Sequence, residues 1–237
     1  MAAKNVKKTT NKTSKKTNDE QNIQKISYTK QVSRKHKEKS KQRIMQAAAD
    51  LFAQKGFDST GIREICHQAD ANICMVSYFW GGKKALYDGI INELTDRETL
   101  YVKKNLNTEQ DLKKLSKTEK IELLYSGLEK IADFLYGGWI SENMYKFLLQ
   151  EQQNRRIEFN SPIFDYVRKL LASIYDKKVS DKEITLKTIF ILSQINSPAI
   201  LPVYSLDILN RKTFQQSDIN IIKNNVKLYV NALLNEG

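Results

Sequence analysis

Apolar residues recur along most of this chain at the spacing of one helical face, most plainly at Ile44, Ala47, Ala48, Leu51 and Phe52. These fall at i, i+3, i+4, i+7 and i+8, the stripe by which an amphipathic helix meets a core. They predict a helix over 40–55. Gly56 then supplies a left-handed cap residue, with Phe57 as the hydrophobic partner of such a cap. Thr60 can cap a short helix over 61–68 that turns Ile62, Ile65 and Cys66 inward. Asn72 can cap a third over 73–79. Two short helices joined by a tight turn and packed on a longer one form a helix-turn-helix head.

The pattern stays helical beyond the head. A fourth helix is expected over 83–105, with Leu86, Tyr87, Ile90, Ile91 and Leu94 on one face. Ser116 and Glu119 form a capping box for a helix over 117–137, which Gly137-Gly138 stops. Ser141 opens the next, to 155, and Ser161-Pro162 starts another, to 175, with proline at the first helical position. Ser180 and Glu183 make a second capping box for 181–195. Residues 196–213 hold Pro198 and Pro202 and show no clear period. The last helix, 218–235, buries Ile222, Val226, Tyr229, Val230 and Leu233. No alternating strand pattern competes and no internal repeat is visible, so the expected fold class is all-α.

Charge sharpens the picture. The 237 residues carry a net charge of +12, yet residues 1–43 alone hold 14 Lys/Arg against 3 Asp/Glu. Residues 1–35 are rich in Lys, Thr, Asn and Ser, with Tyr28 the only aromatic. Such a segment cannot bury enough apolar surface to offset its ordering entropy. The expected organisation is a disordered basic tail over 1–38, a head over 39–85 and a helical domain over 86–237. The tail is either a solvated appendage or an arm that tracks phosphates through counterion release.

Several classes of function fall away. No apolar stretch follows the basic start, so no signal peptide is expected, and no 18-residue apolar run would span a membrane. Two cysteines without a framework fit a reducing cytoplasm, the expected location. Nucleophile elbow, phosphate-cradling loop and dinucleotide fingerprint are all missing, so neither an enzyme nor a cofactor is expected. Cys66, His67 and Cys74 are close in sequence, but helical phase points them three different ways, and His36 sits in the tail. No metal site is expected from them.

In a helix-turn-helix the second helix enters the major groove and its early residues meet base edges. Helical phase puts Val76 and Trp80 inward and leaves Ile73, Cys74, Ser77 and part of Met75 outward. An apolar groove face reads thymine methyl groups, which leaves Arg63 on the preceding helix to read a guanine.

The phrases AAADLFAQKGFDST, IREI and VSYFWGGKKALY resemble the DNA-binding head of the TetR family of bacterial transcriptional regulators. The run Ala-Asn-x-x-x-Val-x-Tyr-Phe-Trp-Gly-x-Lys over 71–83 is most similar to the CecR-like branch. Three positions depart from the family's habit: Asp70 stands where glycine is usual in the turn, Phe79-Trp80 replaces His-Phe, and Gly82 replaces Ser or Thr before Lys83. The resemblance implies that Arg63, Ile73, Cys74, Met75 and Ser77 approach bases and that Tyr78 and Lys83 bind phosphates. Thr60 and Asn72, at the helix starts, complete the candidate DNA-binding set.

The resemblance also implies a double-stranded DNA operator as partner, a homodimer formed through about 181–195 and 218–235, and a ligand cavity among the helices beyond residue 105. That region is rich in aromatic residues, and LLQEQQNRR over 148–156 is unusually polar for a helix inside it. Trp139, Gln150, Glu151 and Arg155 are therefore candidates to contact an unknown small-molecule effector, against the plainer reading of a solvated helix face. The expected function is a ligand-responsive repressor on a palindromic operator. An architectural or division-associated DNA binder with no effector is the alternative.

Overall fold

The structure is a computed structural model that describes residues 35–154 and 161–235. The tail over 1–34 and Arg155 lie outside the described residues. Every regular element among the described residues is helical. Helix α1 covers 35–55, α2 Ile62–Gln68, α3 Cys74–Trp80 and α4 Lys83–Asn105. After a single 3-10 turn at Leu112–Lys114 come α5, Lys117–Tyr136, and α6, Glu142–Gln153. The chain continues with α7, Pro162–Ile174, then α8, Lys182–Ile200, a 3-10 turn at Pro202–Tyr204, and α9, Gln216–Asn235. No described helix is long and apolar enough to cross a membrane.

Local signals account for most of the ends. Ser116 accepts from the Glu119 amide while the Glu119 carboxylate takes the Ser116 amide, the reciprocal capping box that the sequence predicts. Ser141 caps α6, and Ser161 caps α7 ahead of Pro162. Three readings need correction. Residues 35–38, assigned to the tail, are helical, as their Lys and Glu composition allows. The cap of α8 is Asp181 rather than Ser180, its carboxylate accepting from the amides of Glu183 and Ile184. Finally, α8 runs through Pro198 to Ile200 instead of stopping at 195. The carbonyls around the proline find other donors: the Tyr136 hydroxyl at Ile195 and the Ser205 hydroxyl at Pro198, each at 2.7 Å.

The chain divides into two compact units. One holds the described residues through Ala48, then Asp58–Leu86; the other holds Ala49–Phe57 and the described residues from Tyr87 onward. In the first, Ile44, Ala47, Ala48, Ile65, Cys66, Val76 and Leu86 are buried. In the second, Phe52, Phe57, Tyr87 and Phe147 form an aromatic cluster with centroids 5.1–5.9 Å apart in tilted and edge-on pairs, the arrangement ring quadrupoles favour. The remaining core of that unit lies where α5, α7, α8 and α9 pack on one another, with Leu124, Leu128, Val167, Leu170, Ile184, Ile191, Val226 and Val230 interior.

Gly127 of α5 lies against the Tyr166 ring of α7. A Cβ there would stand 2.7 Å from the Tyr166 ring, inside van der Waals contact. Replacing Gly127 with alanine should therefore overpack this contact. Overpacking costs roughly 1–3 kcal/mol, against at most about 1 kcal/mol gained from alanine's helix propensity. The expected outcome for Gly127→Ala is a net loss of roughly 1 kcal/mol, read as a lower denaturation midpoint at unchanged slope.

Candidate nucleic-acid interface and interior cavity

The turn between α2 and α3 closes by backbone bonds from the Ala71 amide to Cys66 and from Asp70 to His67. Asp70 occupies the left-handed region, φ 46°, which the cap of α2 requires and which Asp tolerates better than most residues. From α1, the Arg43 guanidinium donates to the Asp70 carbonyl at 3.1 Å. Asn72 does act at the start of α3: its Oδ1 accepts from the Cys74 amide at 2.8 Å. Thr60 does not cap α2. Gly61, extended at φ −97°, is the residue that leads into that helix, and it leaves Thr60 one step farther back and 1% exposed. A side chain so buried is not available to DNA in this conformation.

Helix α3 is held in register by Val76, which is fully buried. Trp80 is half-buried. The opposite face presents Ile73 (45% exposed), Cys74 and Ser77, with Met75 half-buried beside them. Arg63 is exposed on α2. Gly81, at φ 80°, ends α3 in the left-handed conformation. Tyr78 is 67% exposed and meets Lys37 from α1, whose ammonium lies 3.2 Å from the hydroxyl and 5.2 Å from the ring centroid. Lys37 was read as tail; only the tertiary packing of α1 brings it beside Tyr78. Lys83 opens α4, its ammonium turned to the Asp58 carbonyl at 3.4 Å. Burial pushes the Cys66 thiol up, away from thiolate chemistry. No group of metal-ligating side chains occurs among the described residues.

The second unit contains a cavity of about 260 Å³, far larger than the gaps of a packed interior. Ile91, Thr95 and Glu98 of α4 line it, with side chains from α5 to α8. A smaller cavity of about 140 Å³ shares Leu135, Ile140 and Tyr145 with it. Of the candidates chosen from sequence, Trp139, Gln150 and Glu151 are not in its wall. Trp139 packs edge-on against Tyr101, centroids 4.9 Å apart. Gln150 donates at 3.2 Å to the Ala53 carbonyl in the last turn of α1, where intrahelical donors run out. Glu151 is buried and accepts from the Tyr87 hydroxyl. Gln150 and Glu151 thus serve packing partners, whereas Gln152 does face the cavity and Gln153 is exposed. Glu98, Tyr145 and Gln152 are among the polar wall groups that sequence reading missed. The spacing of Ile91, Thr95 and Glu98 on one helical face was the available signal.

Glu98 sits among apolar walls, and its Oε1 accepts from the Ser161 hydroxyl at 2.5 Å and the Ile163 amide at 2.9 Å. Burial pushes its carboxyl up, and those two hydrogen bonds only partly pull it back. The Tyr145 hydroxyl is pushed up as well, by burial and then by the Glu98 charge.

Two outcomes follow from this geometry. Asp70→Gly should hold or raise stability, since glycine takes the left-handed turn without a steric penalty and an exposed Arg43 contact contributes little. Asp70→Val should lower it by roughly 1–2 kcal/mol, measured by denaturant unfolding. For Glu98, a raised folded value means that the folded chain holds the proton more tightly than the unfolded chain. Stability at this group is therefore present at low pH and lost as pH rises. Glu98→Gln should melt higher than the parent at neutral pH, with the difference vanishing on acidification.

The model of the family described as bacterial regulatory proteins, tetR family, matches residues 44–90. The probable HTH-type transcriptional regulator YttP of Bacillus subtilis (strain 168) is 41% identical over 54 residues, 23% of this chain. The aligned stretch spans only 26% of that relative's length. Among solved structures, a Clostridium perfringens putative fatty acid metabolism regulator superposes with a TM-score of 0.54 at 17% identity, over 78% of this chain and 95% of its own. A TetR-like transcriptional regulator from Rhodococcus sp. RHA1 gives 0.50 at 17% identity, over 79% and 91%. Identities this low speak to fold alone. The head over residues 44–90 is thus similar to bacterial regulatory proteins of the tetR family, and the chain as a whole shares its helical fold with those structures.

Proposed function

We propose that this chain is a DNA-binding transcriptional regulator, a ligand-responsive repressor that acts as a homodimer on a palindromic operator. The observation that carries the reading is the outward face of α3: Ile73, Cys74 and Ser77 exposed, with Met75 partly so, opposite a buried Val76. Arg63 supplies the guanine contact from α2, and Tyr78, Lys37 and Lys83 supply contacts to phosphate. Asn72 supports the set by ordering the first turn of α3. The basic residues before α1 add a sequence-independent arm. The CecR-like assignment rests on the 71–83 run alone.

A single helix-turn-helix reads few base pairs, so a two-fold dimer supplies the missing affinity and specificity. Helices α8 and α9 suit that role. Leu186, Ile189 and Phe190 are exposed on the first, Ile221 and Leu228 on the second, an apolar surface that a second copy would cover. The cavity in the second unit favours an effector-controlled repressor over the architectural reading, which needs no interior space. A cytoplasmic location accords with this role.

The test is binding to a selected operator. Arg63→Ala should cost about 1–3 kcal/mol on the operator and relax preference at one guanine in each half-site. Replacing thymine by uracil opposite Ile73, Cys74 and Met75 should weaken the parent further. Equal losses on operator and random DNA would move Arg63 to phosphate, and indifference to uracil would remove methyl readout from this face.

A further inference from the structure

Among the described residues, the wall of the larger cavity holds one carboxylate and no cation. Its ionisable members are Glu98 and Tyr145; the others are apolar or carry neutral hydroxyl and amide groups. Both donors that reach Glu98 go to Oε1, while Oε2 takes none among the described residues. Gln152, Ser193 and Asn196 bring no charge to compensate it. We propose that the cavity takes an apolar molecule carrying a single protonated amine, its ammonium donating to Glu98 Oε2 and its hydrocarbon part lying against Ile91, Ile131, Phe134, Leu148 and Phe164. This deepens the effector reading and rests on it.

A half-buried carboxylate gains most from a full opposite charge, because Coulomb attraction is less screened there than in open water. Burial already holds the carboxyl up with two donors in place, so its charged form is under-compensated by the described residues. An ammonium supplies the missing charge through a charge-assisted hydrogen bond. A neutral alcohol of equal length gains only an ordinary one. A carboxylate-headed chain of equal length would set two anions together, which disfavours both. The smaller cavity beyond Tyr145 offers apolar room for a longer tail.

The experiment is calorimetric titration of the full chain at neutral pH with n-decylamine, n-decanol and n-decanoate, each below its micelle-forming concentration. The parent should bind the ammonium at least tenfold more tightly than the alcohol, and the carboxylate least. Glu98→Gln keeps an acceptor for Ser161 and Ile163, so the fold should persist, yet the preference for ammonium should collapse to the level of the alcohol. Ile131→Trp, which fills the cavity, should weaken all three. Equal binding of ammonium and alcohol, a preference that survives Glu98→Gln, tightest binding of decanoate, or no binding at all would each overturn the proposal. Operator release is scored separately. Ammonium binding that leaves the operator occupied counts against the effector reading alone, and the ligand class stands.

Discussion

Burial of Val76 is the constraint on which the head depends. A helix of seven residues has one face to hide, and once Val76, with Ile65 and Cys66 of α2, goes inside, the rotation of α3 about its axis is settled. What faces out is then decided by position: Ile73, Cys74, Ser77 and the edge of Met75. The proposed reading surface is thus a by-product of core packing. Asp70 and Asn72 complete the constraint, the first by accepting a left-handed backbone and the second by satisfying the amide of Cys74. A turn of other geometry would rotate or tilt the same helix and present different atoms.

The second unit solves a different problem. Its helices bury apolar stripes, yet the packing leaves a space of about 260 Å³, and into it points a carboxylate held by the start of α7. Large voids and charges short of compensation both reduce stability, and here they coincide. That coincidence supports the proposed site over a packing defect, which has no reason to hold an oriented acid. Glu98 also sits on α4, the same helix that opens with Lys83, so the proposed ligand would touch the helix that carries a proposed phosphate contact. A ligand shifts such a system only through unequal affinity for its conformations.

Sequence was most legible where the physics is local. The capping box at Ser116 and Glu119, the Ser161-Pro162 start and the extent of α4 all follow from residues within a turn or two. Asp181 and Ser180 are neighbours of nearly equal capping power, so propensity alone does not choose between them. Pro198 marked a stop by every local rule. Its helix runs two residues further, and the Tyr136 hydroxyl, 59 residues away, donates to the nearby Ile195 carbonyl. Gln150 and Glu151 were misread for the same reason: their partners, Ala53 and Tyr87, lie 97 and 64 residues distant. Polar residues on a buried helix announce a polar need, but only the tertiary fold says whether a ligand or the chain itself meets it.

The central claim is that α3 reads sequence as one half of a two-fold pair. It is tested most directly by selecting bound sequences from random double-stranded DNA with the full chain and weighing the complex in solution. The account predicts enrichment of inverted repeats with half-sites about one helical turn apart, bound by two copies of the chain. Bound DNA with no enriched sequence, or with one asymmetric site held by a single copy, would contradict it.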